Sequence, residues 1–261
     1  MITKRIIKTV KPNVGIRGNV AFGAGDLLFD WTAFQIPKGV VDLKSIAYMI
    51  RGTEAAGGNG GLDFEIYFAT SNPTTNVAPP SLGTVNAAPT AINTALSRPH
   101  IIGKYFFDGS SMEDAGDGLK TYNIGSGSRN YEGQMIEGST TFAGDSTYSA
   151  TVQGFQTIWI AGISKDTLDF GTGVLLNDGD DQAAATVATG LVTDGVDADD
   201  IFVVGDEVIA YASNGSSQQV VGTVTAVAAN LLTVDAVAGT VTDDDELCFH
   251  QPIHLHLGFE Y

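Results

Sequence analysis

The chain has 261 residues, 43% of them hydrophobic and only 16% charged, with 32 glycines; that is enough for one large β domain or two modest ones. Few charges with abundant glycine and β-formers exclude an architecture of long amphipathic helices and favour sheets joined by tight turns. The net charge is −17, and no uncharged apolar stretch is long enough to cross a bilayer as a helix.

The first residues carry Lys4, Arg5, Lys8, Lys11 and Arg17, interleaved with Ile2, Ile6, Ile7 and Val10. No apolar stretch of the kind found in secretion signals follows, so none is read. Residues 1–14 are either a solvated or edge-strand terminus or a basic arm. As an arm, it would dock on an acidic partner through Lys4, Arg5, Lys8, Lys11 and Arg17.

Apolar runs bounded by Gly, Pro and Asn come next. Leu27 to Ile36 ends at Pro37-Lys38-Gly39, and Leu43 to Ile50 is closed by Arg51-Gly52. Leu62 to Phe68 alternates, with Leu62, Phe64, Ile66 and Phe68 on one face and Asp63 and Glu65 on the other, the period of a half-buried strand. Residues 71–99 hold Pro73, Pro79, Pro80, Pro89 and Pro99. A loop of this length suggests a task, such as reaching a neighbouring subunit. Strands are expected at 101–107, 119–124, 148–153 and 155–163, with a Gly/Ser-rich surface loop at 125–145.

All 13 Lys and Arg lie at or before Lys165. Residues 1–165 hold 13 acidic residues and sum to zero, whereas 166–261 hold 17 acidic residues and no Lys or Arg. This step predicts two modules. The acidic one should stay solvated, repel its own copies and not bind nucleic acid, because phosphate contacts need Lys or Arg. Its strands are short and punctuated by Asp and Gly: Ile201 to Val204, Glu207 to Tyr211, Gln219 to Val227 and Leu231 to Val234. Short strands at this spacing predict a small barrel.

The closing segment, Ile253 to Tyr261, sets Ile253, Leu255, Leu257, Phe259 and Tyr261 on one face. Its large apolar residues match 155–163 and not the acidic segment before it. The expected fold is therefore all-β: a jelly-roll-like antiparallel sandwich (15–166 with 250–261) carrying a small β-barrel (167–249) as an insertion.

Val204-Gly205-Asp206-Glu207-Val208, Val221-Gly222-Thr223-Val224 and the acidic run Asp243 to Glu246 before Leu247 resemble a small barrel found in many phage capsid and tail proteins. Similar Gly-Asp-x-Val turns occur in KOW-type barrels that touch RNA, a use that the lack of basic residues opposes. The first module looks like the jelly rolls of phage head-decoration and fibre proteins, although no diagnostic motif carries that likeness. These resemblances imply a non-enzymatic protein on the capsid exterior of a virion. They imply self-association, as a trimer, and binding to the major capsid protein or another virion protein. A tail-fibre module binding a receptor or glycan, with Tyr122, Tyr131 or Trp159 as candidate aromatics, is a second reading.

His254, His256 and Glu260 share one face of the last strand, and two imidazoles with a carboxylate suit a divalent transition metal. The pattern is similar to part of the first cupin motif. It departs from it at Cys248, where that motif has glycine, and shows no second motif. A polar strand face that happens to hold two histidines is the competing reading. The acidic clusters match no EF-hand loop. Lone Cys248 allows no intrachain disulfide, and no nucleophile elbow is present. No cofactor is implied, and a cupin-like or carbohydrate-active enzyme is the remaining alternative.

Overall fold

A computed structural model describes residues 4–14, 21–37, 41–50, 63–71, 78–90, 101–114, 120–124, 135–136, 155–168, 175–177, 189–194, 197–212, 218–235, 241–249 and 251–261. The protein is all-β, apart from one 3-10 turn and a single helical turn among the described residues.

Nine strands build the first module before the insertion: β1 (Arg5–Val10), β2 (Leu27–Pro37), β3 (Val41–Ile50), β4 (Phe64–Thr70), β5 (Ile101–Phe107), β6 (Glu113–Asp114), β7 (Lys120–Ile124), β8 (Met135–Ile136) and β9 (Phe155–Ser164). The insertion supplies β10 (Leu175–Asn177), β11 (Thr189–Asp194), α1 (Ala198–Ile201), β12 (Glu207–Tyr211), β13 (Gln219–Ala228), β14 (Leu231–Val234) and β15 (Glu246–Cys248). The chain then returns to the first module as β16 (Ile253–Glu260).

One sheet runs β1-β16-β3-β7-β6, with β8 also on β3, and the other runs β2-β9-β4-β5. The chain changes sheet at every step between principal strands except from β4 to β5. That weaving of eight antiparallel strands in two facing sheets is the jelly-roll arrangement. The last strand reaches the middle of its sheet because β1 and β3 leave a gap that only β16 fills, pairing Val10 with Leu255 and Ile50 with Ile253. The insertion closes on itself as a barrel, β10-β11-β14-β13-β12-β15. It therefore leaves no sheet edge of its own.

Aromatic contacts hold the sandwich faces together, among them Tyr48 of β3 edge-on to Phe64 of β4 at 5.3 Å. Tyr48 of β3 meets Phe107 of β5 edge-on at 4.6 Å, and Phe107 stacks on Phe64 of β4 at 4.6 Å. Phe34 of β2 stacks on Phe259 of β16 at 6.0 Å. Bulges explain the runs whose alternation the sequence blurs. The pairing of β2 with β9 slips between Leu27 and Phe29, so Leu28 and Phe29 both enter the core. The pairing of β3 with β16 slips beside Lys44, which shifts the buried set from Val41 and Leu43 to Ile46, Tyr48 and Ile50. The barrel has a separate core of Ala198, Ile201, Phe202, Val208, Ala210, Val221, Val224, Leu232, Val234, Val241 and Leu247.

The proline-rich stretch does not reach outward in its described part. Residues 78–90 lie on the outer face of the β2-β9-β4-β5 sheet. There Leu82 is buried against Leu27, Ala161 and Ile163. The Trp31 indole N–H donates to the Pro80 carbonyl at 3.0 Å, and the Leu82 N–H donates to an Asp30 carboxylate oxygen at 3.1 Å. A sheet face carrying Trp31, Tyr67 and Trp159 needs such a cover, because an exposed apolar surface of that size is costly in water. The strand expected at 148–153 lies outside the described residues, as does the 125–145 loop apart from β8.

Candidate docking surface

The basic segment at the start of the chain is an edge strand from Arg5 to Val10. The Lys4 N–H donates to the Tyr261 carbonyl and the Tyr261 N–H to the Lys4 carbonyl, both at 3.0 Å. Doubly bonded pairs alternate along an antiparallel ladder. Ile6, Lys8 and Val10 therefore also turn their backbone polar groups toward β16. Arg5, Ile7 and Thr9 turn theirs to the free edge. The side chains of these same three residues are exposed, and Ile7 keeps 72% of its surface in water. On the other side of the strand, Val10 and Ile6 join the sandwich core.

The five basic docking candidates separate into different environments. The Arg5 Nε donates to Glu260 Oε2 at 3.0 Å, with the Arg5 side chain still 83% exposed. The Lys8 ammonium lies 5.6 Å from the centre of the Phe155 ring, on the inner side of the strand. Lys4 is exposed. Lys11 lines a small crevice with Gly205, Asp206, Glu207, Phe249, Gln251 and His254, so the acidic turn before β12 sits beside the end of β1. Arg17 lies outside the described residues.

His254, His256 and Glu260 point outward from β16, as the alternation requires, but they occupy different surroundings. His256 Nδ1 is 2.9 Å from the Thr9 hydroxyl, Glu260 pairs with Arg5, and His254 faces the crevice. Residues four apart on a strand are about 13 Å apart, so His256 and Glu260 do not share one ion whose bonds are about 2 Å long. No group of three or more His, Cys, Asp or Glu among the described residues is placed to hold a metal ion. Of the aromatics considered for glycan binding, Trp159 is 6% exposed and its indole N–H donates to the Ser71 hydroxyl at 3.0 Å. It therefore offers no stacking surface. The side chain of Tyr122 and all of Tyr131 lie outside the described residues.

A polar cluster that the sequence did not announce sits on the outer face of β4. Glu65 is buried and accepts from the Lys104 ammonium at 2.7 Å and the Tyr67 hydroxyl at 2.8 Å, with the Lys165 ammonium 3.4 Å away. Burial alone would raise the Glu65 pKa; the hydrogen bonds from Lys104 and Tyr67 and the charge of Lys165 outweigh it and hold the carboxyl below its usual range. The same burial, with Glu65 as its neighbour, pushes the Tyr67 hydroxyl well above the usual tyrosine range. The cluster ties β4 to β5 and to the segment leaving β9. Only the outward position of Glu65 in an alternating strand was visible beforehand.

No helix among the described residues is long and apolar enough to cross a membrane. No protein-family model matches the chain, and no curated protein matches it at a significant level. What defines its class is the architecture itself: an all-β jelly roll with a closed barrel inserted before its last strand.

Proposed function

We propose that this chain is a structural protein of a bacteriophage particle that binds the outside of the capsid and stabilises it. The observation that carries the reading is the separation of charge between two modules that the topology keeps distinct. The barrel segment, residues 167–249, holds 15 acidic residues and no Lys or Arg, whereas residues 1–165 sum to zero. A nearly neutral jelly roll can approach a large assembly with little electrostatic penalty. An acidic, edgeless barrel resists pairing with its neighbours and stays in solvent.

Jelly rolls recur in viral capsid and lectin domains and in cupins, and a fold by itself does not decide among them. The burial of Trp159 and the dispersal of His254, His256 and Glu260 take specific support from the lectin-like and cupin-like alternatives. Adherence with added buried area stabilises the assembled state by mass action.

The test is to mix the purified protein with capsids stripped of their accessory proteins, from a phage whose genome encodes it. Electron microscopy then locates the protein, and capsid melting is followed by calorimetry. Regularly placed extra density on the outer surface and a higher melting temperature are expected. Capsids left bare at saturating protein, or density found only on tail fibres, would overturn the reading.

A further inference from the structure

We infer that the free edge of β1 pairs with the same edge of a second copy of this chain, about a two-fold axis through Ile7. The inference does not depend on the function proposed above.

Backbone geometry comes first. The N–H and C=O groups of Arg5, Ile7 and Thr9 face away from β16, and no described strand meets them. An antiparallel copy centred on Ile7 sets Arg5 opposite Thr9 of the second copy, Ile7 opposite Ile7, and Thr9 opposite Arg5. The outward-facing groups of one edge then meet the outward-facing groups of the other at every step. The two sheets become one continuous sheet across the axis, an isologous interface of the kind that closes a two-fold dimer.

Side chains and charges fit the same register. Each Ile7 side chain, 72% exposed in the single chain, meets its counterpart across the axis and gains burial. Lys4 falls opposite Val10, Arg5 opposite Thr9, and Lys8 opposite Ile6, so no basic residue faces another. Lysine and arginine on an edge strand commonly block pairing. Here Arg5 is drawn to Glu260 and Lys8 to the Phe155 ring of their own chain, which leaves the edge open.

The acidic barrels are placed favourably as well. The barrel turn at Asp206 and Glu207 lies beside Lys11, at the end of β1. A two-fold through Ile7 puts the two barrels at opposite ends of the joint, away from each other. The same operation brings Lys4 of each chain toward the end of β1 where the second copy carries Asp206 and Glu207, a charge-complementary approach. The closed barrel offers no edge for this role, β2 is broken by register shifts and ends at Pro37, and the Lys104 of β5 would face its own copy in a pairing centred there.

The full-length chain tests this by mass and by cross-linking. At 27.2 kDa per chain, native mass spectrometry or light scattering is expected to show twice that mass. Ile7→Pro removes an N–H from the free edge without removing one from the β16 ladder, and is expected to return the protein to a monomer with its circular dichroism unchanged. Hydrogen-bonded antiparallel partners have Cα atoms about 5.5 Å apart, within disulfide reach. Ile7→Cys is therefore expected to oxidise to a covalent dimer at least tenfold faster than Arg5→Cys or Thr9→Cys alone, while the double variant Arg5→Cys/Thr9→Cys cross-links as readily as Ile7→Cys. A monomer at high micromolar concentration, a three-fold assembly that survives Ile7→Pro, or equal cross-linking at all three single positions would overturn the inference.

Discussion

The Phe29 ring of β2 covers Gly162, the residue directly opposite it on β9. A Cβ at position 162 would fall 2.7 Å from the ring's Cζ and closer still to a neighbouring ring carbon. Phe29 is fully buried, and a close-packed interior gives a ring little room to shift. Gly162→Ala is therefore expected to lower stability by about 1–3 kcal/mol, the usual range for overpacking a filled core. Gly258→Ala is expected to cost less, because the atom it meets is the Ser45 hydroxyl, the tip of a side chain that can rotate. Urea denaturation of the two variants checks the order, and a reversed order would contradict this account.

Three turns of one design precede β2, β12 and β15. In each, an aspartate accepts the N–H of the residue three positions earlier: Asp26 from Gly23 at 2.7 Å, Asp206 from Val203 at 2.9 Å, and Asp245 from Thr242 at 2.8 Å. The residue before each aspartate has positive φ: Gly25 at 90°, Gly205 at 97° and Asp244 at 63°. Only the third turn lacks glycine there. Asp244→Gly is expected to stabilise the barrel by about 0.5–1 kcal/mol. Gly205→Ala is expected to destabilise it by about 1 kcal/mol, although the space around it is open. Thermal melting followed by circular dichroism reads both signs.

Glu65 makes part of the stability depend on pH. Its carboxyl is held below the usual range in the folded state. Its contribution is therefore fully present above the ordinary glutamate pKa of about 4.3 and is lost as pH falls through the folded value. Glu65→Gln is expected to lower stability at pH 7 by about 1–2 kcal/mol, a figure held down by the exposure of Lys104 and Lys165. The variant should also lose less stability than the parent between about pH 4.3 and pH 3. Parallel acid-denaturation curves for parent and variant would remove Glu65 from this role.

Alternation and turn chemistry carried most of the fold in the sequence. Phe64, Ile66 and Phe68 sit on the buried face as their spacing indicates, and the Gly205-Asp206 signal marks a real turn. The return of the last strand was legible because Ile253, Leu255, Leu257 and Phe259 form an unbroken alternation of large apolar residues, whereas the stretch before them is short-stranded and punctuated by Asp and Gly. Tyr261, placed on that face by the same reasoning, is 42% exposed because the strand ends at Glu260. Bulges were not legible, since the extra residue in β2 or β3 is defined only against a partner strand far away in the chain. The basic residues were visible at once, but not their fates: Lys8 turns inward and Arg5 finds Glu260 only after β16 comes back across 255 positions. Charge was readable, and the direction of each backbone hydrogen bond on β1 depended on tertiary pairing.

The two tryptophans give an independent view of the sandwich, because Trp31 and Trp159 both belong to it and the barrel has none. Phe202 anchors the barrel instead. It is 1% exposed, packs among Val and Leu side chains, and meets Phe249 edge-on at 5.8 Å. The sandwich core contains none of these barrel residues. Phe202→Ala should cost the barrel about 3–5 kcal/mol, enough to unfold a module held by so small a core. Far-ultraviolet circular dichroism is then expected to show an early partial transition, while tryptophan fluorescence unfolds at the parental urea midpoint. A fluorescence midpoint that falls together with the circular dichroism signal would mean that the sandwich needs a folded insertion to hold β16 in place.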